Sequence, residues 1–230
     1  MSSPRRRWPV VTALTRFWTE DKGLSIFSAL LLIVVFVIPP LLEPGSGRRL
    51  PGDVAHALLL VSGVLALGEG KLARRVLLPV ALTTLAVDLG SWFLPVPEPW
   101  VQATALLSVL LFLVVVLRQT LRAGKVTLHR IQGAVAAYLL LGVLWAYAYA
   151  LLAQFDPAAF SGPVSTSDGP RAFFYFSFVT LATVGYGDVL PVHPVARSLA
   201  MLEAVTGTLY LAITIARLVS LGAASDLEPR

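Results

Sequence analysis

Thr183-Val184-Gly185-Tyr186-Gly187-Asp188 reads TVGYGD, two glycines flanking a tyrosine in a chain dominated by leucine, valine and alanine. The stretch is either an ordinary turn or a segment whose backbone is the working part. What precedes it decides. RAFFYFSFVTLA, residues 171–182, is apolar and aromatic but only twelve residues long. As a helix it covers about 18 Å, too short for a hydrocarbon core of about 30 Å. Before it runs the polar loop AQFDPAAFSGPVSTSDGP, with Ser167 and Asp168 as candidate caps and Pro170 suited to a first helical turn. After it come VLPVHP and a long apolar run. The chain therefore dips in as a half-length helix and returns as extended backbone. Bare backbone at membrane depth is tolerated only when buried in protein or lining a polar cavity. Gly185 and Gly187 permit left-handed geometry, which alternates with ordinary geometry to turn successive carbonyls the same way. The half-helix also directs the negative end of its dipole toward the membrane centre, where a cation is stabilised.

Composition sets the environment. Of 230 residues, 57% are hydrophobic and 13% charged, against about 25% charged in an average globular domain. The pattern is that of a membrane protein. With no cysteine there are no disulfides and no thiolate metal sites, and with no asparagine there is no N-glycosylation acceptor. Apolar runs at 23–42, about 76–94, about 100–117, about 131–152 and about 195–221 reach or approach a spanning length. A shorter run, 54–67, is ambiguous by length alone. Charge resolves it. With 54–67 spanning and the TVGYGD segment not crossing, 14 of the 18 Lys and Arg residues fall on the cytoplasmic side. Only Arg48, Arg49, Arg171 and Arg197 fall outside, the asymmetry expected of short loops. This predicts six spans with both termini cytoplasmic in the cell membrane.

The first apolar run is too long for a signal core and no small-residue cleavage site follows, so it is expected to be retained. The net charge of +5 is spread over short loops and forms no nucleic-acid-binding module. The basic N-terminus is expected to lie against anionic lipid on the cytoplasmic side.

FFYFSFVTLATVGYGD, followed by LPV and an apolar helix, resembles the pore module of tetrameric potassium channels of the bacterial type, over roughly 131–221. The resemblance implies a homotetramer around a central pore. It implies that carbonyls of Thr183, Val184, Gly185 and Tyr186, with the Thr183 hydroxyl, replace the water shell of K⁺. Gly187 supports the filter, Tyr186 points its ring into an aromatic cuff, and Asp188 closes the outer end. In many relatives the aromatic residue thirteen positions before this Asp bonds to it, which here implies a Tyr175–Asp188 bond. Phe176 cannot donate a second brace to Tyr186, and Val179 stands where some relatives carry Glu. The resemblance also places a hinge glycine at Gly207, a position equally served by close helix packing.

Glu203 sits inside the last span, where an acid is expensive and functional by default. It lies one turn before Gly207 on the same face, a gating candidate with Thr180 of the pore helix as an expected partner. Six spans resemble a voltage-gated layout, yet WVQATALLSVLLFLVVVL carries no charge and Arg118, Arg122, Lys125 and Arg130 come only after it. Strong voltage gating is not expected. Asp88 in the third span is a relic of a sensor or the partner of a polar group. No room for a cyclic-nucleotide or calcium domain follows the last span.

The expected fold is thus an all-α membrane protein of six transmembrane helices, a re-entrant pore helix and a filter. Its divisions are a basic N-terminus (1–22), a four-helix voltage-sensor-like unit without sensor charges (23–117), a cytoplasmic linker (118–130), a pore domain (131–222) and a tail (223–230). Within the pore domain fall the pore helix (171–182), the filter (183–187) and the inner helix (195–221). The expected role is passive, K⁺-selective conduction. A transporter with four pore repeats in one chain is disfavoured because no internal duplication is visible. A silent channel subunit has no need of an intact TVGYG. No catalytic constellation and no cofactor are expected, K⁺ being the permeant ion.

Overall fold

The computed structural model describes residues 22–37, 50–67, 71–120, 128–164 and 170–226. The expected basic terminus up to residue 21, the caps Ser167 and Asp168, linker residues 121–127 and the last four residues of the tail lie outside them.

The described chain is almost wholly helical. It runs α1 (Lys22–Leu32), a π-helical turn (Ile33–Val37), α2 (Leu50–Leu67), α3 (Lys71–Gly90), α4 (Glu98–Thr120) and α5 (Leu128–Phe155). Then follow β1 (Phe160–Ser161), the short α6 (Pro170–Leu181), β2 (Leu190–Pro191) and α7 (Pro194–Asp226). Each apolar run of the sequence has a helix on its described residues; every helix starts before its run, and α4, α5 and α7 also end after theirs, while α3 stops at Gly90. The reason is that a helix continues through its polar flanks: α3 begins in the basic KLARR stretch and α4 carries Arg118 in its last turn. Pro79 lies inside α3, a position tolerated where neighbouring groups re-satisfy the freed backbone.

Among the described residues, three helices are long and apolar enough to cross a membrane by length and composition: 98–120, 130–155 and 194–217. The segments 25–37 and 172–181 are shorter apolar helices.

Packing centres on α5, which touches α1, α4, α6 and α7. In lipid, helices associate through close packing and interhelical hydrogen bonds rather than exclusion of water. Small residues suit that, and Ala134, Ala136, Ala137, Ala146, Ala150 and Ala153 of α5 are all buried. From α1, Phe27, Leu31 and Val35 form an i, i+4 stripe into the core, where Phe27 meets Phe112 of α4 at 6.4 Å between ring centroids. Ser25 Oγ donates to Gln132 Oε1 of α5 at 2.7 Å. Between α2 and α3 the buried His56 Nδ1 lies 2.9 Å from Asp88 Oδ2. That is the polar partner expected for Asp88.

A second core is aromatic. Tyr149 of α5, Phe160 of β1 and Phe173 and Phe176 of α6 meet edge to face with centroids 5.0–5.6 Å apart. It seats α6 against α5. The two-residue strands pair antiparallel, Phe160 opposite Pro191 and Ser161 opposite Leu190, tying the ends of the segment around the filter. By contrast α7 is nearly bare in the single chain, and only 11% of its apolar window is buried.

Candidate functional site

The TVGYGD segment follows α6 directly, and the join explains its shape. Ala182 N–H donates to Phe178 O at 3.0 Å, Thr183 N–H to Thr180 O at 2.9 Å and Val184 N–H to Val179 O at 2.9 Å. Gly185 N–H also reaches Val179 O, at 3.4 Å. The bond from Val184 to Val179 with that from Thr183 to Thr180 is the Schellman pattern of a helix C-terminus, with Thr183 at the left-handed position. Thr183 accordingly has φ +57°, the only positive φ at a non-glycine among the described residues. A β-branched residue there is a steric outlier that glycine normally avoids. The sequence offered no sign of this, because the position is defined by the end of α6 and not by residue type.

Gly185 (φ +57°) and Gly187 (φ +78°) take left-handed geometry, in alternation with Val184 and Tyr186. A Cβ added at either glycine would meet nothing within 4 Å, so the conformation and not crowding requires glycine here. Residues 182–188 are all exposed in the single chain. The candidate ion-binding residues Thr183, Val184, Gly185 and Tyr186 thus lie on one open segment.

The expected supports fall around it. Tyr186 stacks on Tyr175 of α6 with rings nearly parallel, 5° apart in tilt and 6.4 Å between centroids. Asp188 lies close enough to Tyr175 for its carboxylate to act on the phenol. Asp188 Oδ1 also accepts from Val189 N–H at 3.1 Å. Gly162 (φ +106°) packs its α-carbon against the Asp188 carbonyl so closely that a Cβ has no room. On the rim beyond, His193 Nε2 stands 4.0 Å from Asp156 Oδ2.

Behind the filter lies Glu203. Its carboxyl is fully buried and bridges two other elements. Tyr149 of α5 donates to Oε2 at 2.5 Å, and Ser177 of α6 donates to Oε1 at 2.5 Å. Ser177 Oγ also lies 2.8 Å from Gly142 O of α5, so one hydroxyl proton serves two acceptors. The pore-helix partner is therefore Ser177 and not Thr180. The correction is one of position along α6: Ser177, nearly one turn earlier, is the hydroxyl that meets Glu203. An acid deep in a helix is retained where it is hydrogen-bonded and shared, and this one ties α5, α6 and α7 together.

Gly207, one turn along α7, faces Leu181 at the end of α6. A Cβ there would collide with the Leu181 carbonyl and come within 2.9 Å of Leu181 Cδ1. Of the two readings of Gly207, close packing is the one this contact favours. Gly142 of α5 does the same for Phe178, whose ring would lie 2.5 Å from an added Cβ.

A half-length helix, an open strand with alternating backbone handedness and a following long apolar helix are the parts that the resemblance to a channel pore implies. Comparison with known families agrees: residues 137–223 match the family described as Ion channel. Over 76 residues the chain is 42% identical to the inward rectifier potassium channel Kirbac3.1 of Paramagnetospirillum magnetotacticum, a match covering 33% of this chain and 24% of that protein. The chain thus spans about a quarter of that relative's length. No solved structure matches the chain. The family match is confined to α5, α6, α7 and the segment between them, and α1–α4 lie outside it.

Proposed function

We propose that the chain is one protomer of a homotetrameric, potassium-selective channel that passes K⁺ down its electrochemical gradient. The observation that carries this reading is the filter backbone. Left-handed Gly185 and Gly187 alternate with Val184 and Tyr186 in an open segment whose first amides are anchored on α6. Four such segments around an axis offer stacked rings of carbonyls in place of a hydration shell. The potassium channel named among the relatives supports the choice of ion. The bare apolar face of α7, with Met201, Leu202, Val205 and Leu209 exposed, supports a fourfold assembly that covers it.

In this reading α1–α5 and α7 give six spans with both termini cytoplasmic, the basic loops lie on anionic lipid, and α6 is the re-entrant helix. The fourth span, uncharged between Trp100 and Leu117, argues against strong voltage gating. The chain has no enzymatic role here and needs no cofactor.

The test is flux in liposomes holding the purified protein. K⁺ flux well above Na⁺ flux, blocked by barium and abolished in Gly185→Ala, is expected. Equal K⁺ and Na⁺ permeation, or none at any pH or voltage, overturns the reading.

A further inference from the structure

The four-helix unit lacks the charges of a sensor, yet it touches the pore helix directly at one point and through α5 at a second. Phe174 and Phe178 lie four residues apart on α6 and so share one face. Each is met by an aromatic ring. Phe36 packs its edge on Phe178, 5.3 Å between centroids at 60°. Tyr147 of α5 packs its edge on Phe174, 6.0 Å apart at 73°. Tyr147 is in turn faced by His56 of α2, 5.7 Å between rings, and His56 is held by Asp88 of α3.

Phe36 stands outside the buried stripe of α1 formed by Phe27, Leu31 and Val35, and is half exposed in the chain. Its contact is not part of the unit's own core. It lies in the π-helical turn Ile33–Val37, a kind of segment that concentrates at functional positions. The ring it touches cannot yield backward, because Phe178 is already pressed on the α5 backbone at Gly142. The Phe178 carbonyl holds Ala182 N–H, and the next carbonyl, Val179, holds the amides of Val184 and Gly185. A rotation of α6 at Phe178 therefore moves the filter directly. The second contact is backed by a buried polar pair, costly in an apolar bundle and retained where it has a task.

We propose that the α1–α4 unit is a brace for the filter: Phe36 on Phe178, and His56–Asp88 through Tyr147 on Phe174, fix the rotation of α6 and so make Phe36 and His56 positioning residues for ion selectivity. The inference rests on the channel reading above.

The experiment uses the full chain in liposomes and reads the K⁺/Na⁺ permeability ratio. Phe36→Ala is expected to lower the ratio about three- to tenfold, the range of one aromatic pair. Phe36→Leu restores part of it. Asp88→Asn lowers it in the same direction, and Phe93→Ala, truncating an 87% exposed ring between α3 and α4, leaves it unchanged. A selective wild type with Phe36→Ala at the wild-type ratio overturns the brace. If the wild type itself does not select K⁺, the channel reading fails, and the brace is judged by thermal unfolding of Phe36→Ala, Phe178→Ala and the double variant. Non-additive Tm shifts then support the contact and additive shifts overturn it.

Discussion

Thr183 holds two roles that pull apart. As the left-handed residue that ends α6 it is the wrong type, at a cost of about 1–2 kcal/mol for a non-glycine. As a proposed ion ligand it supplies a hydroxyl. Thr183→Gly is expected to raise thermal stability by about 1 kcal/mol or less while lowering K⁺ selectivity. Thr183→Ser keeps both near wild type. Unfolding and flux on the same preparations check this. Glu203 poses a simpler question of partners. Glu203→Ala strands the buried Tyr149 hydroxyl, while Ser177 keeps the Gly142 carbonyl, and should cost about 1–3 kcal/mol. Glu203→Gln keeps an acceptor and a donor and should recover most of that loss in the same melting experiment. The acid was visible in the sequence as an oddity. Its partners were not, because Ser177 is 26 residues away and its direction depends on how α6 is turned.

At the scale of elements, the seat of α6 decides the filter. Its far end rests on α7 at Gly207, its face on α5 at Gly142, and its last carbonyls on the filter's own amides. Gly207→Ala drives a methyl into the Leu181 carbonyl, two residues before Thr183. Overpacking of this kind costs about 1–3 kcal/mol. The variant is expected to unfold earlier and to lose K⁺ selectivity together. A hinge role predicts a different result, altered opening with selectivity intact, and single-channel recording separates the two. The twelve-residue length of α6 was readable from the sequence, since a polar loop and a glycine pair bound it locally. The close approaches were not, since Gly142 and Gly207 carry no sign of what lies opposite.

At the scale of the molecule, α1–α4 packs on α5 of the same chain. Ser25 reaches Gln132, and α4 lies along α5, to which it is joined by the short stretch 121–127. A chain without cysteine makes this easy to test. Ser25→Cys with Gln132→Cys, treated with a short bis-maleimide, should cross-link within one protomer and run as monomer in denaturing gels. A ladder of linked protomers would show that the unit packs on a neighbour instead. The buried residues of α4 are Gln102, Ala105, Ser108, Val109, Phe112, Leu113 and Val116, none of them charged. Open probability should therefore change little between −100 and +100 mV, because each charge in the field contributes only about 2.3 kcal/mol per 100 mV and α4 has none between Trp100 and Leu117.

Hydropathy, span length and the glycine spacing of TVGYGD are local properties, written in consecutive residues, and they were legible before folding. What holds that stretch in place is not local. Ser177 and Tyr149 on Glu203, Leu181 on Gly207, His56 on Asp88 and Phe36 on Phe178 join residues far apart in the chain. In helices that are apolar on every side, the sequence carries no periodic mark of which face turns inward. Packing chooses the rotation, and the rotation chooses the partners.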